Sequence, residues 1–148
     1  MPPPLRALTI LQPYASAIIH GPKRCENRRW SPKIELPAWI AVHAGRPLRD
    51  HFDAVAAEWD GMPDNLPSGA IIGAMRVIAV ETLVYSTREE PRDPWAFGPK
   101  VWIIDRVWPL DAPVECRGSK GLWVVDDETA ETVRRAARRW MQQRRTTR

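Results

Sequence analysis

Hydrophobic residues in this chain form short runs that are bounded by proline, glycine or charged residues. Runs of this length and composition are typical of β-strands in a small sheet. The pattern predicts strands at residues 8–11, 39–43, 70–83, 101–107 and 122–125. The polar stretch 85–99 contains several prolines and predicts a surface loop instead.

Three other stretches repeat apolar residues at the spacing of a helix. The first follows Pro13 and runs to residue 20, and we expect Gly21 to end it in a left-handed conformation. The second covers residues 49–60. The third covers residues 127–143, where acidic residues come first and arginines last, as the helix dipole favours. These elements predict an α+β fold, a small mixed β-barrel of about five to six strands flanked by two to three helices.

The length of 148 residues suits a single unit that buries a sizeable core. We expect the barrel to occupy residues 1–126, and an amphipathic, arginine-rich helix over 127–148 to pack on the same domain. No apolar run approaches the ~20 residues that span a bilayer, and the first residues lack the apolar segment of a secretory signal. The expected location is therefore cytoplasmic, with no membrane partner.

Composition argues against a disulfide framework and against a zinc site. Cys25 and Cys116 are too few for either. We expect both thiols to be reduced, and we expect no metal or cofactor. The oligomeric state is left open by the sequence.

The charge of the chain is concentrated at its end. The net charge is +4, and residues 127–148 hold seven arginines against three acidic side chains. The preceding residues are balanced, with fifteen basic and fifteen acidic side chains. Two interpretations stay open, namely a solvated helix face or a patch that attracts the phosphates of a nucleic acid.

Residues 21–30 carry the densest cluster of candidate binding chemistry. If the chain is extended there, Glu26, Arg28 and Trp30 lie on one face, with Lys23 at its edge. An indole offers a stacking plane for a base, cations hold phosphate, and a carboxylate accepts hydrogen bonds from an exocyclic amine. The same charges are also typical of a solvated strand, on which a Glu–Arg pair contributes less than ~1 kcal/mol.

The order of four sequence blocks resembles the ASCH (activating signal cointegrator homology) domain, a member of the PUA-like group of small barrels. The blocks are an opening strand and helix, a Gly-x-Lys-x-x-Glu-x-Arg signature, a strand with a Pro-Ser-Gly corner, and a closing glycine turn. In chain order they lie at residues 8–15, 21–30, 39–73 and 113–123. The signature residues here are Gly21, Lys23, Glu26 and Arg28. Together the blocks span about residues 5–126.

This resemblance implies a PUA-like barrel that binds RNA, DNA or a modified nucleoside in a cleft around the signature. The ligand-binding candidates are Lys23, Glu26, Arg28, Trp30, Ser68 and Lys120. Ser68 would present turn amides to an oxyanion, and Lys120 would hold a phosphate. The plainer alternatives are an ordinary turn at Ser68 and a solvated loop at Lys120.

Whether the protein is also an enzyme stays open. The resemblance implies that a few small relatives hydrolyse N4-acylated cytidines with a lysine, a threonine three residues later and a downstream glutamate. Lys23 matches the lysine, Glu26 occupies the threonine position, and Glu81 is a loose match for the glutamate. Since Glu26 has no hydroxyl for an acyl-enzyme, hydrolysis would need an activated water.

A metal-independent ribonuclease is a further alternative that the resemblance implies. His43 lies at the end of a predicted buried strand, where an imidazole acts as a general base or is held as a structural, hydrogen-bonded residue. The candidate catalytic residues are Lys23, Glu26, His43 and Glu81. The last alternative is a protein-binding adaptor whose C-terminal arginines contact an acidic partner.

Overall fold

The computed structural model describes residues 3–84 and 93–146, apart from the side chains of 144–146. The strands are β1 Arg6–Gln12, β2 Cys25–Arg28, β3 Ala38–Pro47, β4 Ala70–Thr82, β5 Lys100–Glu115 and β6 Leu122–Val124. The helices are α1 Tyr14–Ile19, α2 Phe52–Glu58 and α3 Asp127–Thr146, with a 3₁₀ turn, Arg49–His51, before α2. These elements confirm the predicted α+β class.

The described strands form one mixed sheet in the order β2-β5-β4-β3-β1-β6. β1 and β3 pair in parallel, and the other neighbours pair antiparallel. Within the described structure β2 and β6 are the two ends of this order, so the expected barrel is not closed. Gly121 has a φ of 67° just before β6, and β6 pairs with only three residues of β1. This short pairing leaves a seam between β1 and β2.

β5 extends well beyond the predicted 101–107, over sixteen residues. Pro109 and Pro113 argue against a long central strand, because proline cannot donate to a β-ladder. β2 pairs only with residues 100–103 of β5, so the rest of β5 has one free edge among the described elements. Proline is tolerated on such an edge, and at register shifts like the one near Gly73.

The end of α1 differs from the prediction. His20 follows the helix with a right-handed conformation, and Gly21 is not among the described glycines with positive φ. The predicted left-handed stop is therefore wrong. Gly21 is required for close packing instead, because a Cβ there would lie 2.8 Å from the indole of Trp59. The glycine lets the chain after α1 pass against the residue that follows α2.

Three hydrophobic clusters hold the sheet and helices together. Between the sheet and α1 lie Leu8, Ile18, Ile40, Met75 and Trp102. Under α3, Ala130, Val133 and Ala136 pack against Ala7, Ala41 and Ile71. Farther along α3, Met141 is 41% exposed and does not belong to this cluster. The division of the chain at residue 126 stays a prediction.

The stretch predicted as a surface loop, 85–99, lies outside the described residues over 85–92. The described part, 93–99, is irregular, but it is anchored in the third cluster. Trp95 is only 6% exposed there and packs with Cys25 and Val55. The prediction of a surface loop is therefore wrong for Trp95, because its indole completes the core beside β2.

Candidate functional site

A cavity of about 1040 Å³ opens at the seam between β1 and β2. Among its described lining residues, four are cationic and one is acidic, and three are aromatic. The charged residues are Lys23, Glu26, Arg28, Arg29 and Lys120. The aromatic residues are Tyr14, Trp30 and Phe97. This combination of excess positive charge and aromatic walls suits an anionic ligand with flat rings.

Lys23 and Glu26 form a buried ion pair at the base of the cavity. Their exposed fractions are 1% and 6%, and Lys23 Nζ lies 3.6 Å from Glu26 Oε1. Lys23 also donates to the carbonyl of Cys25, and its ammonium lies 5.8 Å from the centre of the Tyr14 ring. Burial without such partners would be costly for either charge. The pair is therefore held in place by its surroundings and is not free to move.

Arg28 extends this ion pair and bridges the seam. Its Nε and Nη2 donate to Glu26 Oε2 at 3.3 and 3.1 Å, and Nη2 also donates to the Thr9 carbonyl at 2.7 Å. Glu26 Oε1 accepts from the Asn27 amide at 3.0 Å. Both carboxylate oxygens of Glu26 are thus occupied, while Arg28 Nη1 has no hydrogen-bond partner among the described residues. Glu26 therefore positions the two cations, and Nη1 of Arg28 stays unbonded within the described structure.

Asn27 fixes one wall of the cavity, a role that the sequence did not reveal. Its Nδ2 donates to the Trp95 carbonyl at 2.9 Å, and its Oδ1 accepts from the amides of Phe97 and Gly98 at 2.8 and 2.9 Å. These bonds hold the 95–98 segment beside β2 and leave the Phe97 side chain 57% exposed at the cavity. No local signal near Asn27 predicts partners about seventy residues away.

Trp30 forms a second aromatic wall. It is 36% exposed and packs edge-to-face on Trp102, with ring centres 5.1 Å apart at 79°. Trp102 Nε1 donates to the Trp30 carbonyl at 3.1 Å. The core therefore supports Trp30 from behind, while part of its indole stays open to the cavity.

The family model of the ASCH domain matches residues 8–123 of this chain. The chain belongs to the ASCH domain family. Human activating signal cointegrator 1 is 24% identical over 138 residues, which cover 78% of this chain and 24% of that protein. The mouse protein of the same name is 30% identical over 78 residues, covering 48% of this chain and 13% of that protein. The chain thus spans a quarter or less of the curated relatives it matches.

Among solved structures, the ASCH protein of Zymomonas mobilis superimposes on this chain with a TM-score of 0.54. The sequences are 15% identical, and the match covers 88% of this chain and 93% of that one. At this identity the likeness shows the shared fold alone. The open six-stranded sheet described above is therefore an ASCH, PUA-like α+β fold.

Of the predicted site residues, this ASCH domain brings five together at the cavity. They are Lys23, Glu26, Arg28, Trp30 and Lys120. Ser68 is exposed in the turn before β4, and Glu81 is exposed near the end of β4. Neither lines the cavity, so the structure gives no geometric support to their predicted roles.

His43 also lies outside the lining of the cavity, although it was predicted as a catalytic base. The ring is 4% exposed, and Nε2 donates to the Cys116 carbonyl at 2.9 Å. Nδ1 then accepts from the Thr9 hydroxyl at 3.0 Å. A Cβ on Gly118 would lie 2.8 Å from this ring, so the imidazole supports the glycine turn that carries Lys120. With both nitrogens occupied, His43 has a structural role.

Tyr14 was not predicted as a site residue but lines the cavity. Its hydroxyl is 2.6 Å from His51 Nδ1, and burial raises the pKa of Tyr14 above its ordinary value. The hydroxyl is therefore neutral near pH 7 and shares a hydrogen bond with His51. The signal in the sequence was its position at the start of α1, the helix that directly precedes the signature.

The described part of the chain contains no group of three metal-ligating side chains and no helix apolar enough to cross a membrane. Burial raises the pKa of Cys25 to about 11, so this thiol stays protonated at neutral pH. A cytoplasmic location stays a prediction.

Proposed function

We propose that this ASCH domain binds RNA, or a nucleotide unit of a nucleic acid, in the cavity at the seam. The observation that carries the proposal is the composition of the lining, four cations and three aromatic rings against one carboxylate. That carboxylate, Glu26, is already paired with Lys23 and Arg28, so the net charge toward a ligand is positive. The ASCH domain is a PUA-like fold associated with RNA binding, which supports the same proposal.

The lining residues divide into two roles. Lys23, Glu26 and Asn27 are buried or committed to internal bonds, and they hold the shape of the site. Arg29 and Lys120 are exposed at the cavity and are placed to contact phosphates. Trp30 and Phe97 offer exposed ring surface on which bases stack, a contact worth about 1–3 kcal/mol per base. Binding should therefore combine salt-sensitive phosphate contacts with stacking.

The test is fluorescence anisotropy of a labelled, mixed-sequence RNA octamer across a range of salt concentrations. The double variant Arg29→Ala, Lys120→Ala should bind about tenfold more weakly, and the slope of log K against log salt should fall by about 1.4, since each phosphate contact on a single strand contributes about 0.7. The matched control is Lys33→Ala, Arg106→Ala, which removes one exposed lysine and one exposed arginine outside the cavity. Equal losses in both double variants would refute the proposed site.

The hydrolytic alternatives have less support from the site. Glu26 accepts hydrogen bonds at both oxygens, His43 has both ring nitrogens bonded, and Glu81 lies outside the lining. A general base needs an available lone pair within hydrogen-bond reach of its substrate. Incubation with N4-acetylcytidine and with the same RNA should therefore leave both intact. Release of cytidine or of RNA fragments, lost in Lys23→Ala, would restore the enzyme alternative.

A further inference from the structure

Among the described residues, one half of β1 lacks a neighbouring strand on the side of the cavity. On that side β6 pairs with Arg6, Ala7 and Leu8 only. On the other side β3 accompanies β1 as far as Gln12, with a register shift between Ile10 and Gln12 whose extra residue lies on β3. The described structure therefore leaves a strand edge at residues 9–12, and Thr9, Ile10 and Leu11 line the cavity there.

Three hydrogen bonds show which backbone groups face the cavity. The carbonyl of Leu5 accepts from the Val125 amide at 2.8 Å on the β6 side, and the carbonyl of Thr9 accepts from Arg28 on the same side. The carbonyl of Gln12 accepts from the Leu48 amide at 2.7 Å on the β3 side. The N–H and C=O of one residue point the same way in a strand, and successive residues alternate. Leu11 therefore directs both its N–H and its C=O toward the cavity.

We propose that the main chain of Leu11 reads the Watson–Crick edge of an unpaired base, so that the ligand of this site is single-stranded. The inference rests on the proposed function of the cavity. Each base carries a donor and an acceptor side by side on that edge, and the paired N–H and C=O of one strand residue match such a pattern. Because every base offers this pattern, the contact selects unpaired over paired bases without selecting one sequence.

The geometry favours a base over an added peptide strand. A strand that extended the sheet from β1 would lie about 4.8 Å away along its whole length. The Arg28 guanidinium already spans the seam to the Thr9 carbonyl at 2.7 Å, and it would have to be displaced. A base that approaches Leu11 leaves this contact intact. It also places its ring in the cavity that Trp30 and Phe97 line.

The test removes the Leu11 N–H and keeps its side chain, by incorporating leucic acid so that the preceding peptide bond becomes an ester. Leu11→leucic acid should bind the labelled RNA octamer about tenfold more weakly than wild type, as expected for one lost hydrogen bond to a ligand. The matched control is Leu66→leucic acid, which makes the same chemical change outside the cavity and should bind as wild type does. Thermal unfolding of both esters shows whether they are folded.

A Leu11 ester that folds and binds the octamer as tightly as wild type would overturn the inference and leave the proposed function standing. Absence of octamer binding by wild type would overturn both. If the Leu11 ester does not fold, competition decides the question, with the octamer annealed to its complement as the competitor. A duplex at least tenfold weaker than the single strand supports the inference, and an equally effective duplex overturns it.

Discussion

Two regions of this protein, the cavity and α3, each hold a glutamate that pairs with two cations, and the surroundings of these two networks differ. Arg28 shares Glu26 with the buried Lys23 and also bonds the Thr9 carbonyl. On α3, Arg135 and Arg138 share Glu131, and all three side chains are about half exposed or more. The first network is fixed by burial and by backbone partners. The second consists of solvated ion pairs, which contribute little to the free energy of unfolding. Charge density alone therefore does not locate the site; the fixed geometry around the charges does.

The largest expected effect comes from removing the carboxylate of each network. Glu26→Gln should lower the free energy of unfolding by about 3 kcal/mol, because it leaves the buried Lys23 ammonium without its counter-charge. Glu131→Gln should change it by less than about 0.5 kcal/mol, since its partners are solvated. Urea unfolding of both variants measures the difference. Similar losses would show that the two networks contribute equally to stability and would contradict the difference described above.

A second contrast uses one exposed apolar side chain from each region. Phe97→Ala should weaken binding of the RNA octamer about tenfold through lost stacking, with little change in the unfolding midpoint, because the ring is 57% exposed. Met141→Ala on α3 removes a side chain that is 41% exposed and should not change binding. Anisotropy titrations of both variants make the measurement. Weaker binding by Met141→Ala alone would move the interface to α3.

The arginines of α3 allow long-range attraction of RNA to be distinguished from direct phosphate contacts at the cavity. Arg135→Ala, Arg138→Ala should weaken RNA binding less than about threefold at 150 mM salt, because exposed charges act only through a screened, long-range field. The slope of log K against log salt should change little for this variant, whereas it should fall by about 1.4 for Arg29→Ala, Lys120→Ala, whose side chains are placed to contact phosphates directly. A salt titration of both double variants separates the two. If the α3 pair has the larger effect, the helix is the principal nucleic-acid contact.

The smallest effect concerns the start of α3. The amide and hydroxyl of Thr129 both donate to Asp126 at 2.8 Å, and these bonds lower the pKa of Asp126 below its ordinary value. A lowered pKa means that this capping contribution is complete above the unfolded value of about 4 and is lost as the pH falls below it. Circular dichroism at 222 nm from pH 6 to pH 3 should show a greater loss for wild type than for Asp126→Asn. Identical profiles would mean that the cap does not stabilise α3.

Local pattern predicted much of the fold. Strands and helices were found where apolar runs and helical spacing placed them, and the signature strand was found at β2. The main errors have tertiary causes. A glycine is needed at position 21 because the indole of Trp59 packs directly against it. β5 continues past two prolines because β2 pairs only with its first four residues and leaves the rest of that edge of β5 unpaired within the described structure. Trp95 lies in a stretch that is polar and proline-rich but is drawn into the core beside Cys25.

Local sequence was enough to predict the family, the element order and the cluster of Lys23, Glu26, Arg28 and Trp30, because these depend on neighbours along the chain. The contacts of this cluster depend instead on how the strands pair. Sheet pairing brings Thr9 to Arg28, the 95–98 segment to Asn27, and Cys116 to His43. Those contacts join residues 19 to 73 positions apart, so they follow from strand order and register, which no local spacing encodes.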